Sequence, residues 1–420
     1  MSERTATAGA AAQQGRYDID GRYAWQRLCL SLALATVGGI GLWSVVVALP
    51  AVEAEFGVDR SDASLPYTAT MLAFAVGGVL MGRLADRFGI RVPMILAALL
   101  MGAGYVLVSF AGNLWEFVAA QALLIGIGAS ASFGALVADV SLWFRRRRGI
   151  AVAIVASGNY LAGTLWPSLL QYGIDTIGWR SSHVVIGIAC VVLMVPLALA
   201  LRRRPPVEEV AAGGSVIRSA HDRVDTPHLS PRALQVLLVV AGLACCIAMS
   251  MPQVHLVAYC VDLGYGPARG AEMLAAMLGL GIVSRLACGV LADRIGGVGI
   301  LLLSSSLQCL ALFFYLPFDG LMSLYVISAL FGLSQGGIVP SYALIVRQYF
   351  PASEAGFRIS LVVMATIVGM AIGGWLSGLI YDLTGSYQVA FMNGIAFNLL
   401  NMSLAAWLLL GGRFRRAGTA

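Results

Sequence analysis

The chain has 420 residues, of which 59% are hydrophobic and only 11% charged, against about 25% charged in a soluble domain. So few charges cannot clothe a water-facing surface, which excludes a soluble globular protein and points to a surface that faces lipid. The net charge of +6 comes from arginine alone, since no lysine occurs; these arginines cluster in short stretches between apolar runs, which fits orientation in a membrane rather than nucleic-acid binding.

Residues 1–27 are polar and rich in Ala, Gly and Gln, and are expected to be a disordered cytoplasmic tail. The first apolar run starts only near Leu28 and is long enough to span, so it reads as a retained helix and not a secretory signal. A spanning helix needs roughly 20 apolar residues. By that measure the chain is an all-α membrane protein with twelve spans. They are predicted at Leu28–Pro50, Leu65–Met81, Val92–Gly112, Phe117–Ala138, Ile150–Ile174 and Ser181–Leu201, then Ala233–Val261, Ala271–Ala292, Val298–Phe318, Gly320–Val346, Ile359–Tyr381 and Tyr387–Gly412.

The arginines test this map. With both termini inside, the inner segments hold 23 and the outer loops only Arg60, Arg180 and Arg269. That bias is what the positive-inside rule demands of cytoplasmic termini, and an error of one helix would scramble it. Arg285 remains inside a span. Residues 202–232 carry Pro205, Pro206, Gly213, Gly214 and Pro227 and read as a cytoplasmic linker. They separate a six-helix half at 28–201 from a second at 233–412, with a short cytoplasmic tail at 413–420.

The halves are related. Gly82, Asp86, Arg87 and Gly89 recur as Gly289, Asp293, Arg294 and Gly296, a constant offset of 207 that also takes Gly57 to Gly264, Asp175 to Asp382 and Gly178 to Gly385. Parallel repeats of six helices imply a transporter with its substrate site between the halves near mid-membrane. Small residues at four-residue spacing, such as Gly78 with Gly82, Gly369 with Gly373 and Gly374 with Gly378, are expected mostly to let helices pack closely, with hinges as the alternative for some. The seven cysteines lie in or beside apolar segments without CxxC spacing and indicate neither a disulfide framework nor a metal site.

The stretch Gly82-Arg-Leu-Ala-Asp86-Arg87-Phe-Gly89-Ile-Arg91 resembles the signature loop between the second and third helices of the major facilitator superfamily. The partial copy at Gly289–Gly296 falls between the eighth and ninth spans, with Val298 where Arg91 would map. The resemblance covers about residues 23–410 and implies the major facilitator fold of two six-helix halves. Within it the chain is similar to the bacterial monocarboxylate-porter-like group, near the oxalate/formate exchangers. The stretches that carry this are Trp143-Phe144 before Arg148-Gly149, Ala156-Ser157-Gly158, Gly178-Trp179-Arg180, Asp262-Leu-Gly-Tyr265 and Tyr381-Asp-Leu-Thr-Gly-Ser-Tyr387. By the resemblance, Asp86, Arg87 and Arg91, with their second-half counterparts, lock one conformation through contacts between helix ends. Asp139 is a candidate partner for one of those arginines, or a proton carrier. The chain also departs from the group. Gly281 stands where mammalian-type members carry Asp one turn before the arginine of the eighth helix, and the lysines of some members are missing. A dianion held by two cations is therefore not expected, and the usual proton-coupling carboxylate is missing too.

Arg285 lies eight residues before Asp293, so roughly 12 Å along the helix, well inside the bilayer. Burying arginine there costs about 2.5–3.5 kcal/mol on insertion scales, so it must face a cavity or a partner. Its planar fork suits a substrate carboxylate; the alternative is a structural arginine that snorkels to the surface. His255, after Pro252, is a candidate for substrate contact or proton coupling, or else a hydrogen-bonded interior histidine. Asn159, Tyr160, Gln335, Tyr342, Trp43 and Tyr67 are candidate cavity residues that could equally satisfy neighbouring helices. Walker, GxSxG and HExxH motifs are absent, and the fifth span lacks the GPxxGG-like stretch of drug/proton antiporters. The expectation is a non-enzymatic, cofactor-free, monomeric carrier of a small monocarboxylate in a bacterial inner membrane, proton-coupled or else exchanging anions. Drug or metabolite efflux, or a transporter-like sensor, are the alternatives.

Overall fold

The structure is a computed structural model; it describes residues 19–144, 146–203, 230–350 and 352–417. The terminal residues and the central part of the expected linker lie outside the described residues. Lipid offers no partner for backbone polar groups, so a chain that spans it as helices bonds them internally. The described residues are helical almost throughout. Twelve membrane helices follow in order: α1 Arg22–Phe56, α2 Arg60–Phe88, α3 Arg91–Ser109, α4 Leu114–Trp143, then α5 at 149–177 and α6 at 179–200. The second half has α7 Pro231–Asp262, α8 Pro267–Ala292, α9 Arg294–Phe314, α10 Leu321–Tyr349, α11 Gly356–Thr384 and α12 Tyr387–Leu410. Helices α5 and α6 are separate spans because Gly178, at φ 78°, turns the chain between them. An even number of spans puts both chain ends on one face, called here the near face; the opposite is the far face.

The helices begin earlier than apolar counting suggests, because polar residues continue them beyond the apolar core. Helix α1 starts at Arg22, inside the stretch expected to be tail, and α2 runs more than a turn before its predicted start and about two turns past its predicted end. The signature segment from Gly82 is accordingly the last turns of α2, broken only at Gly89. Helix starts follow the usual chemistry. Asn113 caps α4 by accepting from Glu116 N, while Glu116 accepts back from Gly112 N, a capping box. Pro231 and Pro267 open α7 and α8.

The internal repeat has a structural cause. Six of the seven positive-φ glycines among the described residues are Gly57, Gly89, Gly178, Gly264, Gly296 and Gly385. These are three pairs at the 207-residue offset. Each marks a sharp reversal between helices that only glycine adopts without strain, so both halves keep glycine at equivalent corners. The expectation for Gly78 and Gly82 is corrected: a β-carbon on either would meet nothing within 4 Å. Gly369 and Gly373, by contrast, lie against the backbone of α7. Helix α2 leans on α11 toward the far face and parts from it toward the near face, where its two glycines stay open.

Inside the first half, the Nε and Nη2 of buried Arg27 donate to Asp139 Oδ2 and Oδ1 at 2.8 Å each, and Nη1 donates to Arg203 O. The Trp143 ring lies 4.7 Å beneath the guanidinium. This ties the near-face ends of α1, α4 and α6 together. Asp139 is thus the partner of Arg27 and not of a signature arginine, the carboxylate being turned inward to the first helix. A buried charge left alone is expensive. Asp139→Ala is therefore expected to lower unfolding stability by about 3–5 kcal/mol, read as a fall in melting temperature in detergent. Arg27→Leu combined with Asp139→Leu should recover most of that loss.

Candidate functional site and far-face latch

Two clusters join the halves: a mid-depth cluster around Arg285 and a latch around Arg60 at the far face. At mid-depth, Arg285 of α8 donates from Nη1 to Ala156 O of α5 at 2.8 Å. Its guanidinium lies 4.3 Å from the centre of the Tyr160 ring. The Nε is buried without a partner, and among the described residues Nη2 also donates to nothing. The free edge, Nε with Nη2, is the one by which Arg27 grips Asp139 side-on. Arg285 pairs with no carboxylate among the described residues. One turn earlier, where an acid would neutralise it, stands Gly281, with the Tyr160 ring packed against it.

The cluster lies where several helices loosen locally. Helix α5 loosens at Ser157, just before Gly158. Helix α1 loosens at Gly39, and Trp43 of α1 donates its indole N–H to Asn159 O at 3.2 Å. Helix α10 loosens at Gly336–Gly337. Gly336 packs directly on the backbone of Ser284 and Arg285, where no β-carbon fits, and Ser284 Oγ donates to Leu333 O at 2.5 Å. Arg285 thus sits on a backbone held from behind. In α4, the wider π-type turns at Gln121–Gly126 and Ala131–Ala135 flank Ser130, the residue equivalent to Gly337 in the repeat. At Gly39, Ser157, Gly336 and Gly337 the backbone stays in the right-handed helical region, so each span loosens there without unwinding.

The sequence candidates divide on position. Arg285, Tyr160, Asn159 and Trp43 come together, and Asn159 Oδ1 is buried without a donor. Gln335 is fully buried and accepts from Gln253 of α7, its own Nε2 left unpaired. Tyr342 donates to Asn401 Oδ1 at 2.9 Å, and Asn401 donates on to Ser305 at 2.7 Å, a network interior to the second half. Tyr67 packs against Gly374, and His255 is buried beside it, away from Arg285. On the near face, Asp86, Arg87, Arg91 and Arg294 are exposed. Asp86 and Arg91 contact no charged partner among the described residues, and Arg87 lies only over its neighbour Phe88. The side chain of Asp293 lies outside the described residues. A β-carbon at Gly289 would meet nothing within 4 Å.

The latch was not anticipated. Arg60, at the start of α2 and 7% exposed, donates from Nη1 and Nη2 to Asp262 Oδ2 and Oδ1 of α7 at 3.1 Å. Nη1 also donates to the Tyr387 hydroxyl of α12 at 2.8 Å. Glu53 of α1 lies 2.7 Å from Nε as an ion pair, without hydrogen-bond alignment. The Tyr381 ring stacks 4.6 Å away. Asp382 of α11 accepts from Arg60 N and Ser61 N at 2.9 and 2.8 Å. It therefore caps the N-terminus of α2 from the other half, where Asp59 makes no side-chain cap. Gly378 permits the approach, since a β-carbon there would lie 2.9 Å from Arg60 O. Among the described residues, every hydrogen bond between the halves runs from this latch, through Thr68 to Ala371 O at 3.0 Å, to Arg285. None lies nearer the near face. One signal for the latch was available: the Asp262 and Tyr381–Tyr387 stretches that carry the resemblance are its partners.

Two six-helix halves, joined at the far face and at mid-depth around an arginine that pairs with no described carboxylate, have the architecture of a membrane transporter. Residues 31–342 and 289–419 match the Major Facilitator Superfamily, and the chain belongs to that family. It is 27% identical to Monocarboxylate transporter 13 of Bos taurus over 324 residues, covering 75% of this chain and 73% of that one. It is 22% identical to the Agnestins efflux protein AgnL12 of Paecilomyces divaricatus, covering 81% and 77%. The fold matches a bacterial homologue of the human lysosomal transporter Spinster, solved inward-facing and unoccupied. That match has a TM-score of 0.69 at 13% identity and covers 93% of this chain and 97% of that one.

Replacing Arg60 with Gln removes the cation that holds Asp262, Glu53 and Tyr387. Amide hydrogen exchange at residues 60–64 and 258–264 is expected to speed by at least tenfold, with exchange around the α5–α8 crossing unchanged. Gly378→Leu should produce the same pattern by keeping α11 off α2.

Proposed function

We propose that the chain carries a small organic monocarboxylate across a bacterial inner membrane by alternating access, with a proton as coupling ion. The observation that carries this reading is the unfilled Nε/Nη2 edge of Arg285. A guanidinium at this depth is retained where it faces a cavity or meets a partner, and the Ala156 carbonyl occupies only one of its edges. A carboxylate matches that edge with two parallel hydrogen bonds. Tyr160 and Trp43 supply an aromatic wall, and Asn159 a polar group beside it. With one free cation and no lysine, the site suits a monoanion. The working unit is a monomer.

The arginine bias assigns the near face, with both termini, to the cytoplasm. In that orientation the described conformation faces inward: the outer latch is shut and the signature arginines at the cytoplasmic ends are disengaged. The resemblance to monocarboxylate porters and the name of the bovine relative support the substrate class. The efflux protein among the relatives supports a second reading, export of a metabolite; the aromatic wall suits that cargo as well.

Uptake of labelled lactate, pyruvate and related acids into proteoliposomes, with and without an inward proton gradient, tests the first reading. Wild type should accumulate an acid faster with the gradient. Arg285→Gln, losing hydrogen bonds to a charged group of about 1.5–3 kcal/mol, should bind it roughly ten- to a hundredfold more weakly. Folded protein that moves no acid, or an Arg285→Gln variant that transports normally, would sink it and favour export.

A further inference from the structure

The imidazole of His255 is fully buried on α7, seven residues before Asp262. Its Nε2 lies 2.7 Å from Gly374 O. A carbonyl only accepts, so Nε2 carries the hydrogen. Nδ1 lies 3.0 Å from the Tyr387 hydroxyl. That hydroxyl already accepts the Nη1 hydrogen of Arg60 at 2.8 Å, so its own hydrogen is free to point at Nδ1. The chain of donors runs from Arg60 to Tyr387 to His255 to Gly374, and the neutral ring is satisfied at both nitrogens.

The charged and titratable groups around the ring come from every neighbouring helix. Helix α2 brings Arg60 and Tyr67, α11 brings Asp382 and Tyr381, and α12 brings Tyr387. Its own helix supplies Tyr259 and Asp262, and α1 supplies Glu53 behind Arg60. A second proton on the ring would put an N–H against the phenol oxygen that Arg60 already uses. Two cations would then flank one oxygen, and the phenol hydrogen would lose its acceptor. The shut latch therefore disfavours the proton.

Opening the far face changes this balance. Arg60 leaves with α2 and the first half. His255, Gly374, Tyr387, Asp262 and Asp382 all belong to the second half and stay together. The phenol oxygen is then free to accept from a protonated Nδ1, and two carboxylates have lost their cation. Proton affinity at His255 is higher with the latch open than shut, so by linkage the proton favours the open state.

We infer that His255 is a proton-binding site addressed from the far face, filled when the latch is open and emptied before it can shut. Acid on that side holds the transporter open toward it, and alkali lets it close. This rests on the alternating-access reading above, but not on the carboxylate or on His255 carrying a proton across.

The test uses full-length protein in nanodiscs without substrate. Spin labels carried on unnatural amino acids replace exposed Trp115 and Leu383, at the far-face ends of the two halves, and the distance distribution is followed from pH 8.5 to 5. In wild type, the long-distance population should rise at least threefold toward acid. In His255→Gln that response should disappear, while Asp382→Asn, which loosens the cap but leaves the imidazole in place, should retain it. A response that persists in His255→Gln, is missing from wild type, or runs the other way overturns the inference. Should His255→Gln fail to fold, Tyr387→Phe decides. It removes the oxygen for which Arg60 and the protonated ring compete, and should shrink the acid-driven rise; a rise as large as that of wild type overturns the proposal. Because no substrate is present, failure of the carboxylate reading would leave these outcomes intact.

Discussion

The arrangement of the two halves depends on one side chain, Arg60. It is a far-face arginine with carboxylates on three sides, and its own backbone begins the helix that Asp382 caps. The cation, the cap and the glycine at 378 act at one point, and the Tyr67–Gly374 and Thr68–Ala371 contacts continue the α2–α11 seam from it. The other two far-face arginines are also neutralised, Arg180 by Glu55 and Arg269 by Glu272. Those pairs stay within one half. Of these three, Arg60 alone takes partners from the opposite half as well as its own, which turns a topology signal into a joint.

Contacts between the halves thin out along the depth of the molecule. They are ionic and capped at the far face, aromatic and cationic at Arg285, and no hydrogen bond crosses between described residues nearer the near face. The open glycines of α2, and Asp86 and Arg91, which meet no charged partner among the described residues, follow the same gradient. Rigidity within each half makes this possible. The Arg27–Asp139 pair binds α1, α4 and α6, and the Tyr342–Asn401–Ser305 network binds the second half. Each half can then move as a body while only the contacts between them change.

Much of the fold was legible in the sequence, because lipid imposes a strong and simple rule on length and apolarity. The 207-residue repeat was legible for an equally simple reason: positive-φ corners demand glycine, so the corners survive when the helices between them have diverged. Helix ends were not legible, since a helix does not stop where apolarity does, as α1 at Arg22 shows. At the candidate site, Arg285 stood out because a lone charge in a span has few explanations. Tyr342 and Gln335 share a face of one helix, but spacing does not say which neighbour that face meets. The partners of Arg60 lie 202 and 322 residues away, and nothing local in the sequence joins them.

The composition of the latch bears on how readily it lets go. Its bonds are made by a guanidinium, carboxylates, a phenol and two amide hydrogens at a helix start, all groups that liquid water solvates well. When the halves part, each of these finds a solvent partner at once, and the barrier to separation stays modest although the closed geometry is specific. A joint of interlocked aliphatic side chains would behave in the opposite way, forgiving in register yet slow to wet. The far end of this protein is thus made to be chosen accurately and released quickly, which is what a carrier that must turn over, rather than stay shut, requires.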